Sequence, residues 1–217
     1  MADATSRSGS RYADAALLAF VERVHAPHDA ALTRAFDAPG AHGMPAIQVA
    51  PSEGKLLGLL VQMIGARKVV ELGTLAGYSA IRIARALPRG GKLYTIELDP
   101  KHAEVARGNI EAAGVADRVE VRVGPGVEVL AQLAPLGPFD AVFLDADKEG
   151  YPVYGEWAAQ HLRPGGILLA DNSYFFGQLL ADNPPALAMR RFHEQVPAHF
   201  DSVCVPTPDG LVLGIRR

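Results

Sequence analysis

From Ser52 onward the chain alternates between two hydrophobic periods. Apolar residues three and four apart predict helices over Ser52–Ile64, Tyr78–Ala86, Lys101–Ala113, Val127–Leu133, Tyr151–His161 and Pro185–Gln195. Between them, short apolar runs predict strands at Lys68–Leu72, Lys92–Glu97, Val119–Val123, Ala141–Leu144 and Gly166–Ala170. This alternation specifies a mostly parallel sheet covered by helices, because parallel strands need crossovers that pack back on the sheet. Pro184-Pro185 suits a first helical turn, capped by Asp182 or Asn183. The ending breaks the rhythm. Ser202–Val205 and Leu211–Ile215 flank Pro206-Thr-Pro-Asp-Gly210, which predicts an antiparallel C-terminal hairpin. Upstream, Arg11–Val24 carries Tyr12, Ala15, Leu17, Leu18 and Val21 at helical spacing. The Pro/His/Gly-rich stretch His25–Pro45 holds one short helical piece near Leu32–Phe36. Residues 1–45 therefore read as a helical arm and loop laid on one α/β domain, 46–217, with a seven-stranded sheet.

Composition narrows the function classes. A chain of 217 residues, 49% hydrophobic and 21% charged, suits a single globular domain. Its net charge of −3 offers no basic surface for nucleic acid. A single cysteine, Cys204, forms no internal disulfide, and no basic segment with an apolar core marks the N-terminus, so a cytoplasmic location is expected. Apolar stretches such as Leu56–Ile64 are too short for a membrane span and are broken by Gly58 and Gln62.

The candidate chemistry lies at strand ends. Phe143-Leu-Asp-Ala-Asp-Lys148 and Ala170-Asp171-Asn172 end two successive apolar runs in acids, with a lysine close by. Asp145, Asp171 and Asn172 together would supply the oxygen donors that a hard cation such as Mg²⁺ prefers; helix capping is the alternative reading of such aspartates. Val69-Val-Glu-Leu-Gly-Thr-Leu-Ala-Gly-Tyr-Ser79 runs from strand through glycines into a helix, the place where open α/β sheets bind ligands. Gly73 permits close backbone approach and Gly77 the turn into the helix, while Ser79 sits in the first helical turn with its donors pointing outward. Leu75 stands where a dinucleotide fingerprint needs glycine. Glu97, ending the next strand, would accept hydrogen bonds from two ribose hydroxyls. Glu71 would repel phosphates yet suits a cationic ligand such as S-adenosylmethionine. The seven histidines form no metal constellation and read mostly as surface or cap residues; His42 alone precedes a segment able to approach substrate. Tyr174, Phe175 and Phe176, just after Asn172, would sandwich an aromatic substrate or pack in the core.

These segments resemble the cation-dependent class I S-adenosylmethionine O-methyltransferases, which include caffeoyl-CoA and catechol O-methyltransferases. The resemblance runs from about Gly43 to the C-terminus. Five segments in order carry it: Ile47-Gln-Val-Ala-Pro-Ser-Glu-Gly54, Glu71–Ala80, Gly91-Lys-Leu-Tyr-Thr-Ile-Glu97, Asp145-Ala-Asp-Lys-Glu-Gly-Tyr151 and Asp171-Asn172. It implies a Rossmann-like fold. It further implies that Val49, Glu71, Gly73, Thr74 and Ser79 line the methionine and ribose side of the cofactor, and that Glu97 holds the ribose. Gly126 would face the adenine, and Asp145 and Asp147 are further cofactor contacts. Asp145, Asp171 and Asn172 correspond to ligands of Mg²⁺ (or Mn²⁺ or Ca²⁺). Lys148 corresponds to the lysine beside the reacting hydroxyl, and with Asp145 it forms the catalytic pair. The expected substrate is a catechol-like small molecule, and the expected assembly is a homodimer. Two departures, Ser173-Tyr-Phe-Phe-Gly177 and Ala38–Met44, surround the expected substrate position. A cation-independent small-molecule methyltransferase and a non-catalytic binding module remain alternatives at this point.

Overall fold

The computed structural model describes residues 14–217. Helix α1 (Ala15–His25) begins at Asp14, whose carboxylate accepts from the Leu17 amide at 2.8 Å; residues 11–13 of the expected first helix lie outside the described residues. The short helical piece expected near Leu32–Phe36 is a full helix, α2 (Ala30–Ala41). Asp29 caps it through the Leu32 amide at 2.9 Å, and Pro39 falls in its last turn. A proline inside a helix forfeits one backbone bond. Here burial of Leu32, Ala35, Ala38 and Pro39 offsets that loss, a tertiary gain that propensity alone cannot register.

Beyond α3 (Pro51–Met63) the alternation unfolds as the pattern predicts: β1 (Lys68–Leu72), α4 (Tyr78–Ala86), β2 (Lys92–Glu97), α5 (Pro100–Ala112), β3 (Val119–Val123), α6 (Gly126–Leu133), β4 (Phe139–Leu144), α7 (Tyr151–His161) and β5 (Leu162–Ala170). Asn183, one of the two candidate caps, starts α8 (Pro184–His199), which runs past the expected Gln195 and through Pro197. β6 (Phe200–Val205) and β7 (Leu211–Arg216) close the chain as the antiparallel hairpin.

The seven strands form one sheet in the order β3-β2-β1-β4-β5-β7-β6. β7 runs against both its neighbours, whereas the pairings from β3 to β5 are parallel. Central strands alternate between two cores. Val69, Phe143 and Leu169 face one cluster, with Leu57, Ile81 and Leu93, while Val70, Val142 and Leu168 face the other, with Leu130, Tyr154 and Phe192. That double burial explains why these strands read as continuous apolar runs. α2 contributes Leu32 and Ala35 to the first cluster. The strand order reverses between β1 and β4, so the carboxyl ends of β1, β2, β4 and β5 open around one crevice. Among the described residues no helix is long and apolar enough to cross a membrane.

Candidate active site

A cavity of about 770 Å³ opens at that crevice. Parallel register sets its floor. Glu71 pairs with Thr95 and Phe143, Leu72 with Leu144, and Leu144 with Ala170, so the four strand ends stand side by side. The Asp145 amide donates to the Leu72 carbonyl at 2.8 Å, and the Asp171 amide to the Leu144 carbonyl at 2.9 Å, carrying the pairing one residue beyond each strand. Gly73 has φ +97°, and a Cβ there would fall 1.9 Å from the Asp145 carbonyl oxygen. The glycine expected to admit a ligand therefore also admits the neighbouring acidic loop.

Val49, Gly73, Thr74, Ser79, Glu97 and Gly126 line one side of the cavity. Glu97 is clamped before any ligand arrives. Its Oε2 accepts from the Leu75 amide at 2.7 Å and its Oε1 from the Asp99 amide at 3.0 Å, with His102 Nδ1 at 3.5 Å from Oε1. Asp99, not Glu97, caps α5. Glu71 lies fully buried outside the cavity lining. The Thr95 hydroxyl donates to its Oε2 at 2.6 Å, and Thr74 Oγ1 lies 2.6 Å from Thr95 Oγ1, so Thr74, Thr95 and Glu71 form a hydroxyl relay. Glu71 Oε1 has no hydrogen-bond partner. Burial pushes its pKa up to about 7, aided by the charges of Asp145 and Glu97 and opposed by the Ser79 and Thr95 hydroxyls.

Asp145, Asp147, Lys148, Asn172 and Phe176 line the other side. Lys148 Nζ donates to Tyr151 Oη at 2.8 Å and lies 3.3 Å from Asp145 Oδ1. Tyr151 Oη sits 3.0 Å from the carbonyls of both Leu144 and Asp171, so its hydrogen goes to backbone and its oxygen receives the ammonium. Neither Asp145 nor Asp171 caps a helix. Both are raised in pKa by burial; Lys148 pulls Asp145 back, while Asp145 and then Glu53 drive Asp171 further up, to about 7. Asp171 is 5% exposed and sits behind the lining residues rather than among them. Asn172 takes φ +52°, a left-handed conformation that asparagine tolerates, at the turn out of β5. The capping role falls to Asp147, which starts the 3₁₀ turn Lys148–Gly150: its Oδ2 accepts from the Gly150 amide at 2.9 Å and its Oδ1 from Tyr154 Oη at 2.7 Å.

The sequence profile of the family described as O-methyltransferase matches residues 28–217. The chain belongs to the O-methyltransferase family. The catechol O-methyltransferase of Niastella koreensis is 44% identical over 201 residues, 87% of this chain and 91% of that protein. That of Mycobacterium tuberculosis is 43% identical over 208 residues, 92% and 94% of the two chains. Among solved structures, an O-methyltransferase from Bacillus cereus in complex with SAH superposes with a TM-score of 0.89 at 38% identity, covering 93% of this chain and 97% of the other. TomG from Streptomyces achromogenes, an O-methyltransferase in complex with SAM, gives 0.85 at 35% identity over 91% and 94%. The family resemblance carried by the five sequence segments therefore holds, and so does the Rossmann-like sheet.

Three residues anticipated around the substrate of this O-methyltransferase stand elsewhere. His42 is an exposed helix C-cap outside the cavity lining. Tyr174 turns onto the hairpin, where a Cβ on Gly210 would lie 2.8 Å from its ring, and Phe175 packs against the second core cluster. Only Phe176 of the aromatic run lines the cavity, 63% exposed. Its neighbours' departure follows from backbone direction: Phe175 and Phe176 both take left-handed φ, +51° and +54°, which throws successive side chains apart. Sequence reasoning missed Tyr78, Tyr151 and Tyr154. Tyr151 and Tyr154 lie three and six residues after Lys148 on a helix start, a spacing that could have flagged one face. Tyr154 also accounts for two glycines, because a Cβ on Gly126 or Gly150 would lie 2.9 or 2.4 Å from its side chain.

Proposed function

We propose that this O-methyltransferase moves the methyl group of S-adenosylmethionine to one hydroxyl of a catechol-like small molecule, in a divalent-cation-dependent reaction. The observation that carries the proposal is the pair of carboxylates on adjacent strand ends, half-buried Asp145 facing the cavity and buried Asp171 behind it, with Lys148 the ammonium paired to Asp145 and Asn172 completing an oxygen set. Asp171, raised in pKa by burial and then by the Asp145 charge, is short of compensating positive charge, and a hard dication fits that donor set. No group of three or more His, Cys, Asp or Glu among the described residues forms a metal site, so the amide of Asn172 is needed as the third protein oxygen. A dication held there would lower the pKa of a phenol, ordinarily about 10 for tyrosine, and fix the orientation of a vicinal pair of hydroxyls. S-adenosylmethionine would supply the methyl group from the Glu97 side, where an oriented carboxylate faces the cavity.

The chain's own residues do the rest. Glu97, held by two backbone amides, binds a diol without reorganising. Buried Glu71, behind the glycine loop, would contribute negative charge suited to a sulfonium once that nearby cation draws off its proton. Lys148 spends one N–H on Tyr151 and one on Asp145, which leaves a third for the reacting oxygen; in that role it stabilises the developing phenolate and aligns it. Ile47, Leu98, Val127 and Phe176 give the cavity apolar walls suited to an aromatic ring. All four are largely exposed without a ligand.

The test is transfer of labelled methyl from S-adenosylmethionine to a catechol panel, with Mg²⁺ and after EDTA. Activity should fall at least ~10³-fold on chelation, return on adding Mg²⁺, and be lost in Asp145→Ala. Full turnover in EDTA would sink the cation requirement and leave the cation-independent reading. We also propose a homodimer. α1 buries none of its residues, and Leu17, Leu18, Phe20 and Val24 are exposed along it. Light scattering at the monomer mass would overturn that.

A further inference from the structure

A second cavity, of about 450 Å³, lies on the other side of α4, between it, α3 and the Pro27–Leu32 segment. Its chemistry differs from that of the active site. Three cations line it, Lys55, Arg82 and Arg85, against one carboxylate, Asp29, on a chain whose net charge is −3. Asp29 is already engaged: its Oδ1 caps α2, and its Oδ2 lies 2.8 Å from Arg85 Nη1. Arg82 is 9% exposed, yet forms no ion pair with any described residue. Its Nε and Nη2 reach Tyr78 Oη at 3.2 and 3.0 Å, and Nη2 also reaches the Ala26 carbonyl at 3.3 Å; Nη1 has no partner among the described residues. Burying a guanidinium on neutral oxygens alone is costly, and an anion offsets that cost.

His28 adds a further donor. Its Nε2 lies 2.8 Å from Tyr78 Oη, and because that oxygen receives Arg82, its single hydrogen points to His28. The ring is then neutral at Nε2 and carries its proton on Nδ1. Burial and then the Arg82 charge lower the His28 pKa, against Asp37, Asp29 and Glu22, which agrees with this assignment. Of those three acids only Asp29 lines the cavity. Tyr78 belongs to both neighbourhoods: the residue is part of the active-site lining, while its hydroxyl fastens two residues of the second cavity. Gly54 and Gly58 keep α3 close, since a Cβ on Gly54 would lie 2.9 Å from the Tyr78 ring and one on Gly58 3.1 Å from the Arg82 carbonyl.

We infer that this second cavity is a binding site for a phosphoryl group, free or as the phosphate ester of a small molecule, held by Arg82, Lys55 and His28. Arginine with its planar fork matches such an oxyanion, and the volume leaves room for an organic portion beyond it. The site stands apart from the methyl-transfer reaction and does not depend on its acceptor.

Calorimetry of the full chain with inorganic phosphate and with glycerol 3-phosphate, at constant ionic strength in chloride, tests it. Each titration is run with and without saturating S-adenosylhomocysteine. Saturable binding of at least one of the two ligands, undisturbed by S-adenosylhomocysteine, is expected. Binding by both assigns recognition to the phosphoryl group alone; binding by the ester only assigns part of it to the organic portion. Lys55→Glu, at an exposed position, and Arg82→Gln should each weaken binding by ~10-fold or more. Arg89→Glu, outside the cavity, should leave it unchanged. Absence of binding by either ligand, displacement by S-adenosylhomocysteine, equal weakening by Arg89→Glu, or indifference to Lys55→Glu overturns the inference. The last outcome keeps the test valid even if Arg82→Gln does not fold.

Discussion

The two sides of the active-site cavity are built differently. The Glu97 side rests on the ends of β1 and β2, with its carboxylate fixed by the Leu75 and Asp99 amides and its loop held by the Gly73 amide on the Ile96 carbonyl at 2.9 Å. The wall carrying Phe176 is a loop outside the sheet. Consecutive left-handed residues shape it, and it is held by the hairpin turn through the Phe176 amide on Asp209 Oδ1 at 2.9 Å and the Tyr174 amide on the Asp209 carbonyl at 2.8 Å. Lys148 stands between, on a 3₁₀ turn tied to Tyr151. The difference separates what is constant in the chemistry from what is adjustable. Strand ends fix position through many cooperative backbone bonds, whereas a loop can change its side chains without disturbing the sheet.

Substitutions on the two sides should therefore fail in different ways. The largest effect is expected in between: Lys148→Ala should lower kcat by ~10²-fold or more while the calorimetric affinity for S-adenosylmethionine changes little. A matching loss of cofactor affinity would place Lys148 on the Glu97 side instead. Next, Glu97→Ala should weaken cofactor binding by roughly 10- to 100-fold, since it removes charge-assisted hydrogen bonds. The acceptor KM should then move much less, and equal movement of both would break the division. Phe176→Ala should raise the acceptor KM about fivefold to tenfold with kcat nearly unchanged, as loss of one aromatic contact predicts. Asp209→Ala, which never touches the cavity, should reproduce part of that effect by freeing the Phe176 amide.

The smallest effect concerns the base of the Glu97 side and is read in stability. The folded pKa of Glu71 is about 7, above its ordinary 4.5, so the folded state holds this proton more tightly than the unfolded chain does. Its contribution is complete below the unfolded value and is lost as pH rises through about 7. Asp171, also raised to about 7, acts with the same sign. Urea melts of the ligand-free protein should show stability falling across that window, by at most ~1.4 kcal/mol per pH unit for each proton. Glu71→Gln should remove one of the two slopes; an unchanged slope would mean Glu71 is ionised in the free enzyme.

Much of the fold was legible because its signals are local. β1, α4, β2, β3 and α7 fall at the expected bounds, since apolar runs and glycine breaks mark strands buried on both faces. α2 was underestimated because Pro39, Gly40 and His42 look like loop residues, and only packing of Leu32 and Ala35 reveals the helix. The acidic strand ends were visible for a similar reason: parallel topology brings carboxyl ends of successive strands together whatever lies between them. Which carboxylate caps a turn was not visible, and Asp147, two residues from Asp145, has that role.

The sequence by itself determined the sheet, the crevice and the presence of Glu97, Asp145, Lys148 and Asn172 along it with Asp171 close behind, because periodicity and strand-end position follow from neighbours along the chain. Tertiary structure alone decided the long-range partners. It set Tyr151 under Lys148, sent Tyr174 and Phe175 away from the cavity while keeping Phe176, and buried Arg82 beside His28, 54 residues earlier in the chain. These outcomes depend on packing between distant elements and on the sign of a few φ angles, and neither is encoded in hydrophobic period or residue spacing.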